Sequence, residues 1–478
     1  MKKILALLLA VVMVVGMLAG CSSSEQKKDD GVPTITWYMV GGGQPANIDS
    51  WKTKVDAYLE EKIGVHLDVQ CISWGDWGNR RTNIVSTNEP YDIMFTDMGS
   101  YASDVKMGAF ADITELIKQT PGLTDLIPAE YLDACKIDGK LYAVPAYKDS
   151  SMTNFFVWTK ERVEKSFPGY ANAHTLADIT DGLRQMKEDF GEAPFMLNQD
   201  GISCVAGNKY DAMGLGNIGL GVSYNGTEAK AVAIFEQEDV LSDLRIIHSW
   251  MQEGLINSDA AVRQEATGMC GVGVAQGWPS AAQGWGEGRG AEVVVSQFED
   301  TVVSTDTVQG SMACISASSK HPLEALKLLE LVNTDNWLRD ALAYGEEGVN
   351  FEYVQEGDYK RVNKLNNDWT LAAYTQGTFF DMSLTTGSVG NYFVDEVKVQ
   401  NENAKASPAF GFVCNRDKID DKMKAVGAIY DEYKSLILTG TADPDEVCPE
   451  MMAKMRDAGF DDIQAEVQAQ LDAWVASK

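Results

Sequence analysis

Residues 34–43 are TITWYMVGGG, an alternating apolar stretch that ends in three glycines. This pattern predicts a β-strand followed by a turn. A helical pattern from Trp51 to Ile63 comes next, and VHLDVQCI at 65–72 alternates again. A second helix, from about Asp76, leads to the apolar stretch YDIMFT at 91–96. This β-α-β-α-β order with short connections predicts right-handed crossovers and a mainly parallel sheet.

The remainder of the chain continues to mix strands and helices. Strands are predicted within GKLYAVPAY at 139–147 and at the start of SSMTNFFVWTKERVEKS at 150–166. VGVAQGWPSAAQGWGEGRG at 272–290 predicts a strand that leads into a glycine-rich, aromatic loop. Further helices are predicted at 176–190, at 238–254, after Pro322 in CISASSKHPLEALKLLELVN, and three times from Ile419 onward.

The N-terminus has the layout of a secretory signal. Lys2 and Lys3 precede an apolar run over residues 4–18, and LAGC at 18–21 resembles the bacterial lipobox, whose cysteine is acylated. We therefore expect a signal peptide over 1–20, a lipid on Cys21 and a flexible tether over 21–32. The alternatives are an ordinary cleaved signal, with Cys21 uninvolved, or an uncleaved anchor.

Composition limits the classes of partner. The formal net charge is −30, and loss of Lys2 and Lys3 with the signal brings it to −32. Such a surface repels phosphate backbones, so nucleic-acid binding is not expected.

The mature chain of roughly 450 residues is long enough for two or three lobes. Seven further cysteines are widely spaced without a CxxC pair, which predicts buried thiols rather than metal ligands or a disulfide framework.

Several stretches, in this order, resemble the family 1 extracellular solute-binding proteins of ABC importers. They are the lipobox, NEPYDIMFTD at 88–97, DGKLYAVPAY at 138–147 and SASSKHPLEALKLLELVN at 316–333. YGEEGVNFEYV at 344–354 and the stretch from SPAFGFVCNRD at 407–417 to the end are similar to a lipoprotein subgroup of Gram-positive bacteria. The C-terminal segment of that subgroup has no assigned function.

The resemblance implies an α/β, two-lobed fold of the periplasmic-binding-protein type, with a hinged cleft and a helical C-terminal segment. Mapped onto this chain, the crossings between lobes fall at about 146–150, 310–314 and 345. The expected N-terminal lobe is then 33–148 with 311–345. The expected C-terminal lobe is 149–310 with 346–478, including the terminal helices. Each boundary carries an error of several residues.

The resemblance further implies a receptor on the outer face of the cell membrane, held by the lipid on Cys21, that hands a carbohydrate to two permease subunits. We expect an oligosaccharide ligand, no cofactor, no metal, no catalysis and a monomeric chain. A peptide or another polar solute is the alternative ligand.

Ligands of parallel sheets bind beyond the carboxyl ends of the strands, and a sugar site needs aromatic platforms beside polar side chains. Trp74, Asp76 and Trp77 follow the second strand, and Asp97 follows the third. Either tryptophan could instead cover the lobe, and Asp97 could cap a helix. Tyr147 stands at the proposed hinge, where it contacts ligand or packs between lobes.

Trp278 and Trp285 are the favoured pair, because a glycine-rich loop offers them no core to fill. Glu346 or Glu347 could accept hydrogen bonds from ligand hydroxyls, as the position in the family implies. The alternative for one of the two is a solvated surface acid. Trp369 is a further candidate for an aromatic platform that contacts the ligand.

Enzyme motifs are incomplete. The four histidines form no HExxH motif, and GxSxG is absent. Ser103 and Lys106 match SxxK without the accompanying motifs of that hydrolase class, and Gln276 stands where a dinucleotide fingerprint needs its third glycine. Paired carboxylates for glycoside hydrolysis are not excluded by sequence, so an anchored glycosidase remains the alternative. A third hypothesis is a scaffold or adhesin with a broad apolar surface.

Overall fold

A five-stranded mixed sheet forms the centre of the N-terminal lobe. The computed structural model describes residues 31–266 and 268–478. The sheet order is His66–Ser73, Thr34–Gly41, Ile93–Thr96, Met312–Ile315 and Ala143–Pro145. The first three strands are parallel, as the sequence predicts. Met312–Ile315 is antiparallel to both neighbours, so the chain returns to this lobe after building most of the other one.

Two helices join the parallel strands. Ile48–Ile63 buries Trp51, Val55 and Leu59 against the sheet and ends at Gly64, whose φ of 70° permits the left-handed stop. The second helix, Trp74–Thr87, starts two residues earlier than expected, because Ser73 is its N-cap and accepts the amide of Asp76 on its hydroxyl. The other helices of this lobe are Tyr101–Lys106, Pro121–Leu126, Ala129–Ala134, Pro322–Thr334 and Asn336–Tyr344.

A four-stranded sheet forms the C-terminal lobe, in the order Val272–Gln276, Met152–Thr159, Val293–Val303 and Lys405–Ala406. Its first three strands are antiparallel, and Lys405–Ala406 runs parallel to its neighbour. A smaller sheet contains Tyr210–Asp211, Leu220–Ser223 and Ala231–Ala233, and two hairpins pair Lys136–Ile137 with Lys140–Leu141 and Phe351–Glu356 with Tyr359–Lys364.

The helices of the C-terminal lobe lie on both sides of these sheets. They are Lys160–Ser166, Leu176–Phe190, Cys204–Gly207, Glu238–Gln252, Ala282–Arg289, Thr305–Val308, Val399–Asn403, Asp420–Leu438, Pro444–Asp457 and Phe460–Ala476. Short 3-10 turns occupy Leu116–Gln119, Tyr170–Asn172, Ile234–Glu236, Ala260–Val262, Pro279–Ala281 and Ala373–Thr375, and a π-helix spans Phe393–Lys398. The three terminal helices share one continuous core with this lobe, which confirms the predicted helical C-terminal segment.

The stretch predicted as a glycine-rich loop contains the helix Ala282–Arg289. Gly286 faces inward there, and a Cβ at this position would lie 2.8 Å from the carbonyl oxygen of Ala291. Glycine is therefore needed for close packing, and not for flexibility. Gly290, with a φ of 71°, ends the helix.

The chain passes between the two large sheets in the segments from Pro145 to Met152 and from Val303 to Met312. The segment after 345 differs from expectation, because its first part packs on the N-terminal lobe. Trp369 and Leu371 belong to the N-terminal core, and Leu371 bridges Gly41. The third connection is therefore made later in the chain, within residues 371–403, which we call the cleft segment.

The seven cysteines of the described residues are free thiols, and six of them are buried: Cys71, Cys135, Cys270, Cys314, Cys414 and Cys448. Among the helices that the structure describes, none is both long and apolar enough to span a bilayer. Cys21, the signal region and most of the tether lie outside the described residues.

Candidate functional site

Trp74 begins a helix at the carboxyl end of a parallel strand and leaves 44% of its surface exposed. Its indole lies parallel to the ring of Tyr374, with centroids 6.1 Å apart and 8° between the planes. Tyr374 is 45% exposed. The edge of Phe95, 5.7 Å from the indole and nearly perpendicular to it, supports the pair from the sheet. The two parallel rings are therefore both partly exposed, and Phe95 supports Trp74 from the sheet.

The C-terminal lobe contributes a second stacked pair. Trp278 follows the strand Val272–Gln276 and lies 5.6 Å from Tyr392, with 21° between the ring planes. Trp278 also lies 6.3 Å from Phe393, which lies 4.6 Å from Phe379. We call the set Trp74, Tyr374, Phe379, Phe393, Trp278 and Tyr392 the aromatic band. It runs from one lobe to the other along the cleft segment.

A cation joins the two halves of the band. The ammonium nitrogen of Lys148, in the first crossing, lies 6.0 Å from the ring centroids of Tyr374 and of Phe379. The same nitrogen is 2.6 Å from a carboxylate oxygen of Asp149. This neighbouring pair places one cation and one anion beside the apolar ring faces.

Polar contacts fix the cleft segment at the hinge. The Asn401 side-chain oxygen accepts hydrogen bonds from the Ser151 amide (3.0 Å) and hydroxyl (2.9 Å). Glu396, within the π-helix Phe393–Lys398, accepts from the amide and the hydroxyl of Ser280, two residues after Trp278. The side-chain amide of Gln400 donates to the Gly277 carbonyl at 3.2 Å. The loop that carries Trp278 is thereby held against the crossing.

The phenols of the band are hydrogen-bond donors at neutral pH. Burial raises the pKa of both Tyr374 and Tyr392 above the ordinary value for tyrosine. Phenol and ammonium donors together with a carboxylate acceptor, set around flat apolar rings, match a ligand with apolar faces and a hydroxyl rim.

Two of the predicted tryptophans are core residues. Trp77 is 7% exposed and packs on Phe95 at 5.7 Å, because the fourth position of its helix points back toward the sheet. Trp369 is 9% exposed, donates its indole N–H to the Leu342 carbonyl at 2.9 Å and lies 5.2 Å from Trp51. Neither side chain belongs to the aromatic band.

The predicted acids have structural partners. Asp76 accepts a hydrogen bond from the Ser73 hydroxyl at 2.6 Å, and its own amide donates to that hydroxyl, so it caps the helix of Trp74. Asp97 accepts from the Gly99 amide at 3.0 Å in the turn before Tyr101–Lys106.

Glu346 is buried within the N-terminal lobe and not in the cleft. Its carboxylate lies 2.8 Å from the Lys54 ammonium and accepts from the Ser50 hydroxyl at 2.6 Å. Glu347 is exposed. The position in the family did not indicate which of the two acids would contact a ligand. Neither acid lies beside the aromatic band.

Tyr147 lies beside the band, where its carbonyl accepts the Phe379 amide, and Trp285 belongs to a separate apolar cluster. Trp285 is half-buried on the helix Ala282–Arg289 and packs on Phe155 at 6.2 Å, so it is not a loop residue as predicted. Tyr147 is 3% exposed and lies at the hinge, 4.7 Å from Phe380. Burial raises its pKa to about 12.

Sequence reasoning missed Tyr374, Tyr392 and Lys148. Tyr392 directly precedes the π-helix Phe393–Lys398, a rare element that is frequent at functional sites. No sequence pattern predicts the π-helix, because contacts with neighbouring parts of the structure determine it. Lys148 immediately follows Tyr147 at the predicted hinge, and that adjacency was the usable signal.

The described residues contain no group of three or more His, Cys, Asp and Glu side chains arranged to hold a metal ion. The aromatic band includes no histidine or cysteine, and the two anions described beside it have partners: Asp149 is paired with Lys148, and Glu396 accepts from Ser280.

Relatives of the chain include a carbohydrate ABC transporter substrate-binding protein of Streptococcus pneumoniae serotype 4. It is 27% identical over 98% of this chain and 97% of the relative. The crystal structure of the N-glycan transport solute-binding protein NgtS from Streptococcus pneumoniae is 25% identical, with a TM-score of 0.81 over 93% of this chain and 99% of that one. The NgtS complexes with Man1GlcNAc and Man5GlcNAc give TM-scores of 0.70 and 0.67.

Two family descriptions match the chain. Residues 408–476 match a domain of unknown function. Residues 54–383, more than half of the chain, match the bacterial extracellular solute-binding proteins. The two-lobed fold, the hinge and this match agree, and the chain belongs to the bacterial extracellular solute-binding protein family.

Proposed function

We propose that this protein captures an oligosaccharide at the aromatic band and delivers it to the permease of an ABC importer. The observation that carries the proposal is the parallel pair Trp74 and Tyr374, both nearly half exposed at the carboxyl end of the sheet. Large aromatic rings are normally covered in a free protein, and a supported, exposed pair provides a platform for the apolar face of a sugar ring.

The second pair, Trp278 and Tyr392, provides a platform on the other lobe. A ligand that covers both pairs must span the interlobe band, which favours a chain of several sugars over a monosaccharide. Lys148 and Asp149 then supply a donor and an acceptor for hydroxyl groups at the hinge. An unmatched buried hydroxyl costs about 1–3 kcal/mol, so these groups select among sugars.

The relatives support a mannose- or N-acetylglucosamine-containing glycan as the first ligand to test, because NgtS was crystallised with Man1GlcNAc and Man5GlcNAc. The chain is also more similar to the other NgtS structure than to either complex. We propose that the lobes of this receptor close on the ligand, since differential affinity for the closed arrangement drives such closure.

Membrane attachment through a lipid on Cys21 completes the proposal. The support is the lipobox-like LAGC at 18–21 and the polar residues that follow it. One acyl chain binds a membrane only weakly, so durable anchoring requires more than one. Mass spectrometry of the native protein tests the lipid, and Cys21→Ser is expected to abolish the added mass.

Thermal unfolding of residues 22–478 with a panel of glycans tests the ligand. A ligand at a hundredfold excess over its Kd stabilises the fold by about 2.7 kcal/mol. We expect an oligosaccharide to raise the Tm and to be recovered intact. Breakdown of the glycan would instead support hydrolysis, and a response to short peptides alone would overturn the sugar assignment.

A further inference from the structure

Three polar side chains on two consecutive helices of the N-terminal lobe bind the cleft segment. We call them the polar row: Asn333, Arg339 and Asp340. Asn333 accepts the Thr378 amide at 2.8 Å, and Asp340 accepts the Ser383 amide at 2.8 Å. The polar row therefore supplies partners for backbone groups of a segment with little regular structure of its own.

Arg339 binds the stretch that carries Tyr374. Its Nε donates to the Thr378 carbonyl at 2.7 Å, and its Nη2 donates to the Ala373 carbonyl at 2.8 Å. Its Nη1 donates to the side-chain oxygen of Gln376 at 3.1 Å. These acceptors lie on both sides of Tyr374 in the sequence, so one planar guanidinium fixes the chain before and after that residue.

The guanidinium of Arg339 is a buried cation whose acceptors are uncharged oxygens. Arg339 is 0% exposed, and burial lowers its pKa to about 10, so the group is charged at neutral pH. A buried charge is tolerated only where hydrogen bonds satisfy it. Because the acceptors belong to the cleft segment, the charge holds that segment on the helix Asn336–Tyr344.

The ring of Tyr374 lies among partly exposed groups. Tyr374 is the middle residue of the 3-10 turn Ala373–Thr375 and is 45% exposed. Its ring meets the indole of Trp74, itself 44% exposed, and the Lys148 ammonium at 6.0 Å. Such open contacts leave a side chain free to reorient, so the backbone of the turn sets the position of the ring.

We propose that Arg339 is the positioning residue of the Trp74–Tyr374 platform. By holding acceptors on both sides of Tyr374, it keeps the phenol ring parallel to the indole before a ligand binds, which reduces the ordering cost of binding. The proposal rests on the proposed function, in that this platform is the surface that binds sugar. Arg339 is fully buried and acts on the ligand only through Tyr374.

Hydrogen exchange of ligand-free residues 22–478 tests the proposal without any sugar. Arg339→Met removes the donors while keeping much of the side-chain volume. We expect it to speed amide exchange within residues 372–380 by about tenfold or more, including the Thr378 amide that Asn333 accepts. The amides of the strand Thr34–Gly41 are expected to keep their wild-type exchange.

Arg162→Met is the matched control. The Arg162 side chain is 14% exposed, forms an ion pair with Glu192 and lies 5.0 Å from the ring centroid of Phe190 in the C-terminal lobe. Its replacement also removes a mostly buried guanidinium, but one without a contact to the cleft segment among these partners. Exchange within 372–380 and glycan affinity are expected to stay at wild-type values.

Arg339→Lys is the second test variant. It keeps the positive charge but loses the planar fork that reaches three acceptors. We expect faster exchange within 372–380, by a smaller factor than in Arg339→Met. This variant keeps the test valid if Arg339→Met folds poorly.

A double-mutant cycle separates positioning from a general loss of stability. Where a glycan binds, Arg339→Met is expected to weaken its affinity about two- to tenfold, the effect of leaving one side chain to be ordered on binding. Tyr374→Ala combined with Arg339→Met is expected to bind little worse than Tyr374→Ala alone, because no ring is left to position. Arg339→Lys is expected to recover part of the affinity.

Unchanged exchange within 372–380 in the folded Arg339 variants would overturn the proposal, whatever the glycan results. Additive losses of affinity in the double variant would also overturn it, because Arg339 would then act independently of Tyr374. Faster exchange in a protein whose wild type binds no glycan would keep the role of Arg339 in placing Tyr374 and count against the proposed function instead.

Discussion

The indole of Trp74 and the phenol ring of Tyr374 lie parallel, 300 positions apart in sequence and 6.1 Å apart between ring centroids. One ring is fixed by the start of a helix, and the other by the segment that bridges Gly41 through Leu371. Both of these supports belong to the N-terminal lobe. The platform is therefore formed before a ligand binds, which reduces the ordering cost of binding.

Replacement of Trp74 by alanine is expected to weaken glycan affinity by about tenfold or more, as does loss of a central aromatic contact in other complexes. Tyr374→Ala is expected to have a similar effect. Calorimetric titration measures both. Tyr359→Ala is the matched control, because Tyr359 is 41% exposed on a hairpin outside the band. An equal loss in Tyr359→Ala would contradict a specific role for the pair.

Trp77 and Trp369 are expected to matter for stability and not for direct ligand contact. Alanine at either position removes a buried indole and lowers the free energy of unfolding by about 3–5 kcal/mol. Trp369→Ala also leaves the Leu342 carbonyl without its hydrogen-bond donor. Urea unfolding measures the loss. A normal unfolding midpoint combined with a large loss of glycan affinity would show that the side chain acts in the site.

The parallel sheet was predictable because its strands carry alternating or wholly apolar residues and end at glycines or caps. The helix Ala282–Arg289 was not, since three internal glycines each disfavour a helix by about 1 kcal/mol. Packing of Trp285 on Phe155 and of Gly286 near Ala291 outweighs that preference. Such contacts join distant positions and leave no local pattern.

The same limit applies to the site. Trp74 and Trp77 are one helical turn apart in one motif. Only the positions of Phe95 and Tyr374 make Trp74 the platform residue and Trp77 the core residue. The cleft segment has little periodicity, so Tyr392 could not be placed. Strand ends indicated one edge of the sheet as the place of the site, and tertiary contacts decided which side chains face solvent there.

Stability is expected to depend on Asp306 between about pH 4 and 6. Burial and the nearby charge of Asp211 raise the pKa of Asp306 to about 6. The hydrogen bond from the Gly214 amide and the charge of Arg416 oppose this rise and are outweighed. The folded state then binds this proton more tightly than the unfolded state. The ionised carboxylate therefore costs stability above pH 6, and the cost is relieved as the pH falls toward 4.

Asp306→Asn removes that titration while keeping an acceptor for the Gly214 amide. Its stability relative to wild type is expected to rise as the pH increases from 4 to 6 and then to stay level. Unfolding measured across pH 4–7.5 gives the difference. A difference that does not change with pH would contradict the pKa assigned to Asp306.

The thiols are expected to be unreactive in the folded protein. Burial raises the pKa of Cys448 and of Cys204 to about 12, so little thiolate exists at neutral pH. A chromogenic disulfide reagent should detect seven thiols in unfolded residues 22–478 and fewer than one within minutes in the folded protein. Rapid reaction before unfolding would mean that a thiol is accessible.

The crystal structure of residues 22–478 with an oligosaccharide that raises the Tm is the most direct test of the account. We expect a sugar ring to stack on Trp74 and Tyr374, another part of the same glycan to contact Trp278, and the lobes to lie closer together. A glycan bound elsewhere, with Trp74 and Tyr374 still exposed to solvent, would contradict the account.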